Sequence, residues 1–590
     1  MSLTLEPAAS GDVATRRSSA WWSLLSDGAV VALLVTLIAV AGGVRAMTIW
    51  PQAVGIDEAP YEDEGVYASA AQLIREGKQP YRDFFFAHPP LGPALYAPAT
   101  DYRYTTWGSP TTFMMLRYAS LLYSALTVGL VFLIGWRLWG LLGGAVGGAL
   151  LAIDPQAVWA GRHVMLESPY LFLTALAVLA YVVARELKQP PPALLLLAGF
   201  FAAAAGGVKL QGLVVLAAMA IDLLVRRRGG LLLNLFAGGV LFALPLGGYL
   251  FWLRGADPLG QFVWLQLLRP ADGLVGTVAR LRQLGSESWL LLLLGALGLL
   301  ALPVIRARRA VSAREAKAAA GFALPRLPSL DEKPRPRPVA RPVFSAIGAT
   351  SQAGPESPTA GWTLLLPWLA LTGAILLLSR SYYAHYSVEL SLPLALLAGA
   401  VPLGVARALR ANWGTSAYGL ALAAGLVAAC VWFGPDAWRA DREQRPDRLY
   451  TIVGRFAGDA VGPDRAVFAL DAQFPFRAAR RPARDANERF IVDGYGLLLY
   501  RGLGIVSLPL GERFRQLRAV SLDAPFDDPY TIMWQPTVQD QLRASMARSD
   551  LVVIDDKSDG RLTDETRQWL IAHSKLEERQ NRYAIYRILR

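Results

Sequence analysis

Residues 28–47 read GAVVALLVTLIAVAGGVRAM and follow the pair Arg16 and Arg17. A mostly apolar run of roughly 20 residues is the length an α-helix needs to cross the hydrocarbon layer of a bilayer. It exceeds the roughly 7–15 apolar residues of a cleaved signal peptide, so it predicts a retained span. The same reading carried along the chain gives about eleven candidate spans, at 28–47, 114–136, 141–159, 168–184, 193–208, 212–225, 231–253, 289–305, 362–378, 388–406 and 416–434. The fifth and sixth are short and share one apolar block. Charged residues make up 18% of the 590, below the roughly 25% of a soluble domain. The fold class predicted is therefore an α-helical polytopic membrane protein. A net charge of +12 would otherwise point to nucleic acid. The basic residues gather instead at the ends of apolar runs and in one linker, which is a topology signal. The single cysteine, Cys430, lies inside an apolar run, which excludes an intrachain disulfide and a cysteine-built metal site.

Arginine and lysine near the span ends set the orientation. With Arg16 and Arg17 in the cytoplasm, alternation puts Arg137, Arg185 with Lys188, Arg226 to Arg228, Arg306 with Arg308 and Arg309, and Arg407 with Arg410 on the same side. The predicted organisation is a cytoplasmic tail at 1–27, a transmembrane domain at 28–434 and an extracytoplasmic domain at 435–590. The transmembrane domain carries a large outer loop at 48–112 with juxtamembrane helices. It also carries a cytoplasmic linker at 306–361, whose Pro, Arg and Ala content predicts disorder. The tail alternates strand-like runs at 466–470, 551–554 and 583–588 with a helix-like run at 564–573, which predicts a small α/β domain.

The chemistry concentrates after the first span. Residues 57–67 read DEAPYEDEGVY and hold five carboxylates. Val66, Ala70, Leu73 and Ile74 then share one face of a predicted helix over 62–76, read as amphipathic and lying on the membrane surface. Asp63 and Glu64 fall in its first turn, where the helix dipole favours negative charge. A well-capped interfacial helix would explain this much. The next segment, 81–96, reads YRDFFFAHPPLGPALY. An Asp-Glu pair after the first span, a short helix, a Gly-x-x-Pro-Tyr turn and a His-Pro-Pro-Leu motif together resemble the GT-C glycosyltransferases, in particular the protein O-mannosyltransferases and the lipid A aminoarabinose transferases. Further along, 161–170 (GRHVMLESPY) resembles that family's Arg-x-x-x-x-Asp segment, with Glu167 at the acidic position. Residues 207–212 (GVKLQG) resemble its Lys-x-x-Gly segment and offer Lys209. Residues 382–386 (YYAHY) resemble its late Tyr and His cluster. The likeness runs in order from 28 to 434. The aminoarabinose-type members carry Glu-Lys-Pro-Pro where this chain has Ala87-His88-Pro89-Pro90, so His88 replaces a lysine.

The resemblance implies a GT-C-type fold with a site on the outer membrane edge, and the charge-derived topology independently places Asp63, Glu64, His88, Arg162, His163, Glu167, Lys209 and His385 there. Many titratable groups converging on one face point to a functional cavity. The implied reaction moves a sugar from a polyprenyl phosphate to an acceptor hydroxyl, with inversion. Asp63 is the expected base, with Glu64 or Glu167 orienting donor or acceptor. Arg162, Lys209, His88 and His385 are expected to meet the donor phosphate. The α/β tail would cover the site and help select the acceptor, which is a protein, a glycolipid or a cell-wall glycan. No cofactor is required. A divalent cation is compatible with His88, His163 and His385 beside Glu167, although their spacing matches no local ligand motif. The bilayer is the other expected partner, nucleic acid is not, and the topology fits a bacterial plasma membrane. The alternative is a transporter or flippase of lipid-linked or anionic substrates. Such proteins favour internal repeats and charges near the midplane, and the sequence has no repeat.

Overall fold

The computed structural model describes Gly28 and residues 30–46, 62–100, 110–269, 278–279, 281–282, 284–286, 289–301, 359–379, 384–409, 449–505, 508–519, 531–580 and 582–590. The expected tail at 1–27, the linker up to 358 and the span at 416–434 lie outside these residues. The first part of the chain is helical: α1 (Val30–Ala46), α2 (Glu62–Arg75), α3 (Leu91–Tyr96), α4 (Pro110–Trp139), α5 (Leu141–Ile153), α6 (Pro155–Arg162), α7 (Glu167–Glu186), α8 (Pro192–Val208), α9 (Leu213–Val225) and α10 (Leu232–Trp252). A π-helical turn (Gly260–Trp264) and α11 (Leu265–Leu268) follow, then α12 (Trp289–Ala301), α13 (Thr359–Leu378) and α14 (Ser391–Ala398), the last entered through a 3-10 segment (Ala384–Leu390).

Among the described residues, five helical stretches are long and apolar enough to cross a membrane alone: Thr112–Trp139, Glu167–Glu186, Gly229–Trp252, Gly361–Leu378 and His385–Val405. The expected single span at 141–159 is instead a pair, α5 and α6, bent by 61°. The cause is local. Pro155 cannot continue α5, and Asp154 restarts the helix by accepting the Ala157 amide at 3.1 Å. Helices α8 and α10 touch backbone to backbone: a Cβ on Gly199 would meet the Leu235 carbonyl, and one on Gly238 the Leu196 carbonyl.

The two ends of the bundle differ in charge. At one end Arg137 pairs with Glu186 at 2.9 Å, while Arg185 and Arg226 share Asp222. Arg228 donates to the carbonyls of Arg185 and Leu187. These are the arginines that the charge rule placed together. Glu167 begins α7, whereas Arg185 and Glu186 end it, so the candidate site occupies the opposite end.

The described residues of 449–590 form an α/β unit. Its sheet has the order β2 (Arg481–Pro482), β1 (Ala466–Phe468), β3 (Leu551–Asp555), β5 (Tyr583–Ile588) and β4 (Ser574–Gln580). Strand β1 runs parallel to β2 and β3, and β5 runs antiparallel to both of its neighbours. The three strand-like runs and the helix (Asp564–His573) stand where the sequence put them. Strand β4, SKLEERQ, is an addition, because a charged edge strand carries no apolar alternation to read.

The α/β unit changes the environment of α2. The sequence predicted an interfacial helix. In the structure Tyr67, Ala68, Ala70, Ala71 and Leu73 are buried, and a short helix (Gln473–Arg477) crosses the opposite side. The crossing is so close that a Cβ on Gly65 would lie 2.5 Å from the Gln473 amide nitrogen. The helix is therefore sandwiched between bundle and α/β unit, and its small residues serve packing rather than a lipid surface.

Candidate functional site

Asp63 and Glu64 are neighbours on α2, and successive helical residues point about 100° apart. The two carboxylates accordingly meet different surroundings. Glu64 turns into the bundle and is fully buried. The Arg117 guanidinium on α4 grips it with two bonds, Nε to Oε1 at 3.0 Å and Nη2 to Oε2 at 2.7 Å. The Val164 amide donates a third at 2.8 Å. Burial alone would raise the Glu64 pKa, but Arg117 and then His163 outweigh it and hold the carboxyl down at about 2. Asp63 keeps 37% of its side chain exposed and brings Oδ2 to 4.0 Å from His385 Nε2.

Behind Asp63 lies a buried charge cluster. Lys209 caps α8 in an extended conformation, which breaks the apolar block into α8 and α9 and turns the ammonium inward. Its Nζ donates to Glu167 Oε1 at 2.8 Å and to Glu389 Oε1 at 3.0 Å, and stands 4.3 Å from the centre of the Tyr386 ring. His385 Nε2 is 3.6 Å from Glu167 Oε1. Among the described residues, the second oxygens of Glu167 and Glu389 have no hydrogen-bond partner. One lysine thus faces two carboxylates, with Asp63 close by. The sequence assigned Lys209 to the donor phosphate, whereas here its charge is taken by acids. Glu389 was missed. Its signal was an acid one residue inside the apolar run at 388–406, which membrane segments rarely carry without purpose.

His88 follows the Phe84-Phe85-Phe86 run and meets the Tyr67 hydroxyl at 3.4 Å. Burial, and then the charge of Lys209, lower its pKa to about 3, so it is neutral at ordinary pH. Arg269, just past α11, is close enough to contribute to that lowering, and its guanidinium donates to Gln266 at 3.0 Å. Arg269 is a second residue that the sequence reading missed, because it belongs to no motif. Burial, followed by the charges of Asp63 and Glu167, holds the Tyr67 hydroxyl protonated well above its usual range. The loop bearing His88 is clamped from the segment after α10. The buried Gln261 side chain donates to the Tyr81 carbonyl at 3.1 Å and accepts from the Phe86 amide at 3.1 Å, and Gln266 donates to the Ala87 carbonyl at 3.0 Å.

Arg162 is buried at the end of α6. His163 binds the Trp159 carbonyl through Nδ1 at 2.8 Å and packs on the Trp159 ring, whose indole also stacks with His385 at 6.0 Å. Among the described residues no three His, Cys, Asp or Glu side chains come close enough to share one metal ion, so His88, His163 and His385 are not assembled into a ligand set.

Acids, a lysine and histidines from α2, the His88 loop, α7, the α8–α9 junction and the entry to α14 thus converge at one end of a helical bundle capped by an α/β unit. The fold that carries this arrangement is similar to that of known structures. Residues 81–254 match the family model described as dolichyl-phosphate-mannose-protein mannosyltransferase. The chain resembles the crystal structure of ArnT from Cupriavidus metallidurans bound to undecaprenyl phosphate, with a TM-score of 0.52, 15% identity, and coverage of 94% of this chain and 97% of that one. The apo form of the same protein gives 0.53 and 14%, over 95% and 98%. No curated protein sequence matches the chain.

Proposed function

We propose that the chain is a membrane glycosyltransferase that moves one sugar from a polyprenyl phosphate to an acceptor hydroxyl, with inversion at the anomeric carbon. The observation that carries this reading is the placement of Asp63. It is a partly exposed carboxylate at the edge of a cluster whose other acids are buried and held by Lys209 or Arg117. A base that accepts a proton from an arriving hydroxyl needs that combination of access and fixed surroundings. The matched family's description and the lipid phosphate bound to the similarly folded ArnT both support a lipid-phosphate donor.

In this mechanism the acceptor oxygen attacks the anomeric carbon and its proton passes to Asp63. The bond from that carbon to the phosphate oxygen breaks, and its electron pair leaves on the polyprenyl phosphate. The growing charge on that phosphate calls for donors fixed in advance. Arg269 and Arg162 supply charge, and His88, held neutral, supplies a hydrogen bond where the related transferases have a lysine. Lys209 holds Glu167 and Glu389 in place through its two hydrogen bonds, and the second oxygen of Glu167 has no hydrogen-bond partner among the described residues. Glu64 acts through α2 by anchoring the turn that aims Asp63. The lipid tail requires the site to open at the bilayer edge. The arginine-rich end would face the cytoplasm, and the site and α/β unit the outer side of a plasma membrane.

The test is sugar transfer from a panel of radiolabelled polyprenyl-phosphate sugars, using purified wild type and Asp63→Asn side by side. Turnover by wild type that collapses in the variant, with donor binding intact, is expected. Equal turnover by both removes Asp63 from the mechanism, and failure to bind any polyprenyl phosphate removes the transferase.

A further inference from the structure

We propose that an arginine-lined cleft on the α/β unit, separate from the Asp63 cluster, binds an acidic glycan. As the identity of the acceptor this rests on the transferase reading; as an anion site it stands alone. The cleft has a volume of about 430 Å³ and is lined by Arg481, Arg484, Arg548, Phe490, Glu488 and Asp464 among others. The three guanidiniums come from different places in the chain: β2, the turn after it, and the end of the helix Pro536–Ala547. Each keeps close to half of its side chain exposed.

The rim is built in advance. Asp485 is fully buried and ties down the turn beneath it, accepting from the amides of Asn487 and Arg489 at 2.8 and 2.9 Å and pairing with Arg489 and Arg501. That turn presents Glu488 in a left-handed conformation, 65% exposed. Glu488 bridges Arg484 at 3.5 Å and Arg548 at 2.8 Å, while Arg481 pairs with Glu76 at 3.2 Å. The Arg484 guanidinium lies 4.5 Å from the centre of the Phe490 ring, so one face is covered and its edge donors point outward. An exposed carboxylate that bridges two arginines marks the position a ligand carboxylate or phosphate would take, with planar two-pronged recognition from both sides. A polar cleft on a water-facing unit with an aromatic floor suits a glycan better than a lipid surface.

The cleft is also wired to the candidate site. The Phe490 amide donates to the Asp83 carbonyl at 2.8 Å, and Phe490 pairs with Phe84, four residues before His88. Four extended residues span at most about 14 Å. The cleft floor and the His88 loop are therefore held at most about 14 Å of chain apart.

The experiment titrates the full-length protein, in phosphatidylcholine nanodiscs at low ionic strength, with trigalacturonate and with neutral maltotriose. Trigalacturonate is expected to bind and maltotriose not. Arg484→Gln and Arg548→Gln should each weaken binding by about tenfold or more, the worth of a charge-assisted hydrogen bond. Glu488→Gln should tighten it, because the competing carboxylate is gone, and a misfolded variant would not do that. Arg582→Gln, which removes an equal charge outside the cleft, should change nothing. Asp63→Asn should bind like wild type, so a failed transferase reading with a working cleft is recognisable. Equal binding of the neutral sugar, indifference to Arg484 and Arg548, or weakening by Glu488→Gln overturns the proposal. Binding of phosphatidylglycerol vesicles, but not trigalacturonate, that depends on the same arginines assigns the cleft to lipid and overturns the glycan.

Discussion

Asp63→Asn and Glu64→Gln, compared side by side, give the sharpest test of how adjacent carboxylates divide their work. Asp63 keeps 37% of its side chain exposed, and its contact with His385 is long at 4.0 Å. Neutralising it should change stability by no more than the ~0–1 kcal/mol of an exposed pair, while removing a general base should lower turnover by about 10²–10⁴. Glu64 is the reverse. It is fully buried, and neutralising it leaves the Arg117 guanidinium, 3% exposed, without its counter-charge. Breaking a buried pair from one side costs about 3–5 kcal/mol. Glu64→Gln should therefore unfold at clearly lower temperature in detergent, followed by tryptophan fluorescence. Below that temperature, the surviving folded fraction should turn over far faster than Asp63→Asn. Removing both charges together, as Glu64→Leu with Arg117→Met, should recover much of the lost stability. If Glu64→Gln melts like wild type, or loses turnover as completely as Asp63→Asn while fully folded, the assignment of a positioning role to Glu64 is wrong.

Three further outcomes follow from the same geometry. Lys209→Met leaves Glu167 and Glu389 facing each other without a cation, so it should destabilise by about 3–5 kcal/mol; Glu389→Gln should cost less, because Lys209 keeps Glu167, and thermal melts of both variants check the order. His88 is depressed from 6.5 to about 3 in the folded chain. Its contribution to stability is then complete above the unfolded pKa and is lost as pH falls from about 6.5 toward 3; a melt series over that window should show a shallower slope for His88→Gln. Gly65→Ala would drive a methyl group into the Gln473 backbone; it should cost about 1–3 kcal/mol and loosen the α/β unit, read as faster amide exchange in residues 473–477.

Much of this molecule is local, and local information is legible in the sequence. Apolar runs announced the helices, because each residue in lipid must satisfy its own backbone along one segment. Arg137, Arg185 and Arg226 could be grouped at one end from charge placement alone. Strands at 466, 551 and 583 showed as short β-branched runs. Asp63, His88, Glu167, Lys209 and His385 could be singled out as candidates because each sits at a helix end or turn with a recognisable neighbourhood.

What surrounds each of these groups was decided elsewhere in the chain. Glu64 and Asp63 look alike in sequence, and only Arg117, 53 residues on, makes one of them an anchor. Lys209 reads as a phosphate ligand until Glu389, 180 residues on, takes part of its charge. The face of α2 read as lipid-facing is packed into the bundle core, and a helix some 400 residues downstream covers the Gly65 side. Hydrophobic periodicity records which side of a helix is buried and is silent about what buries it. Charge pairing is a property of distance in space, so which cation each carboxylate meets belongs to the tertiary structure alone.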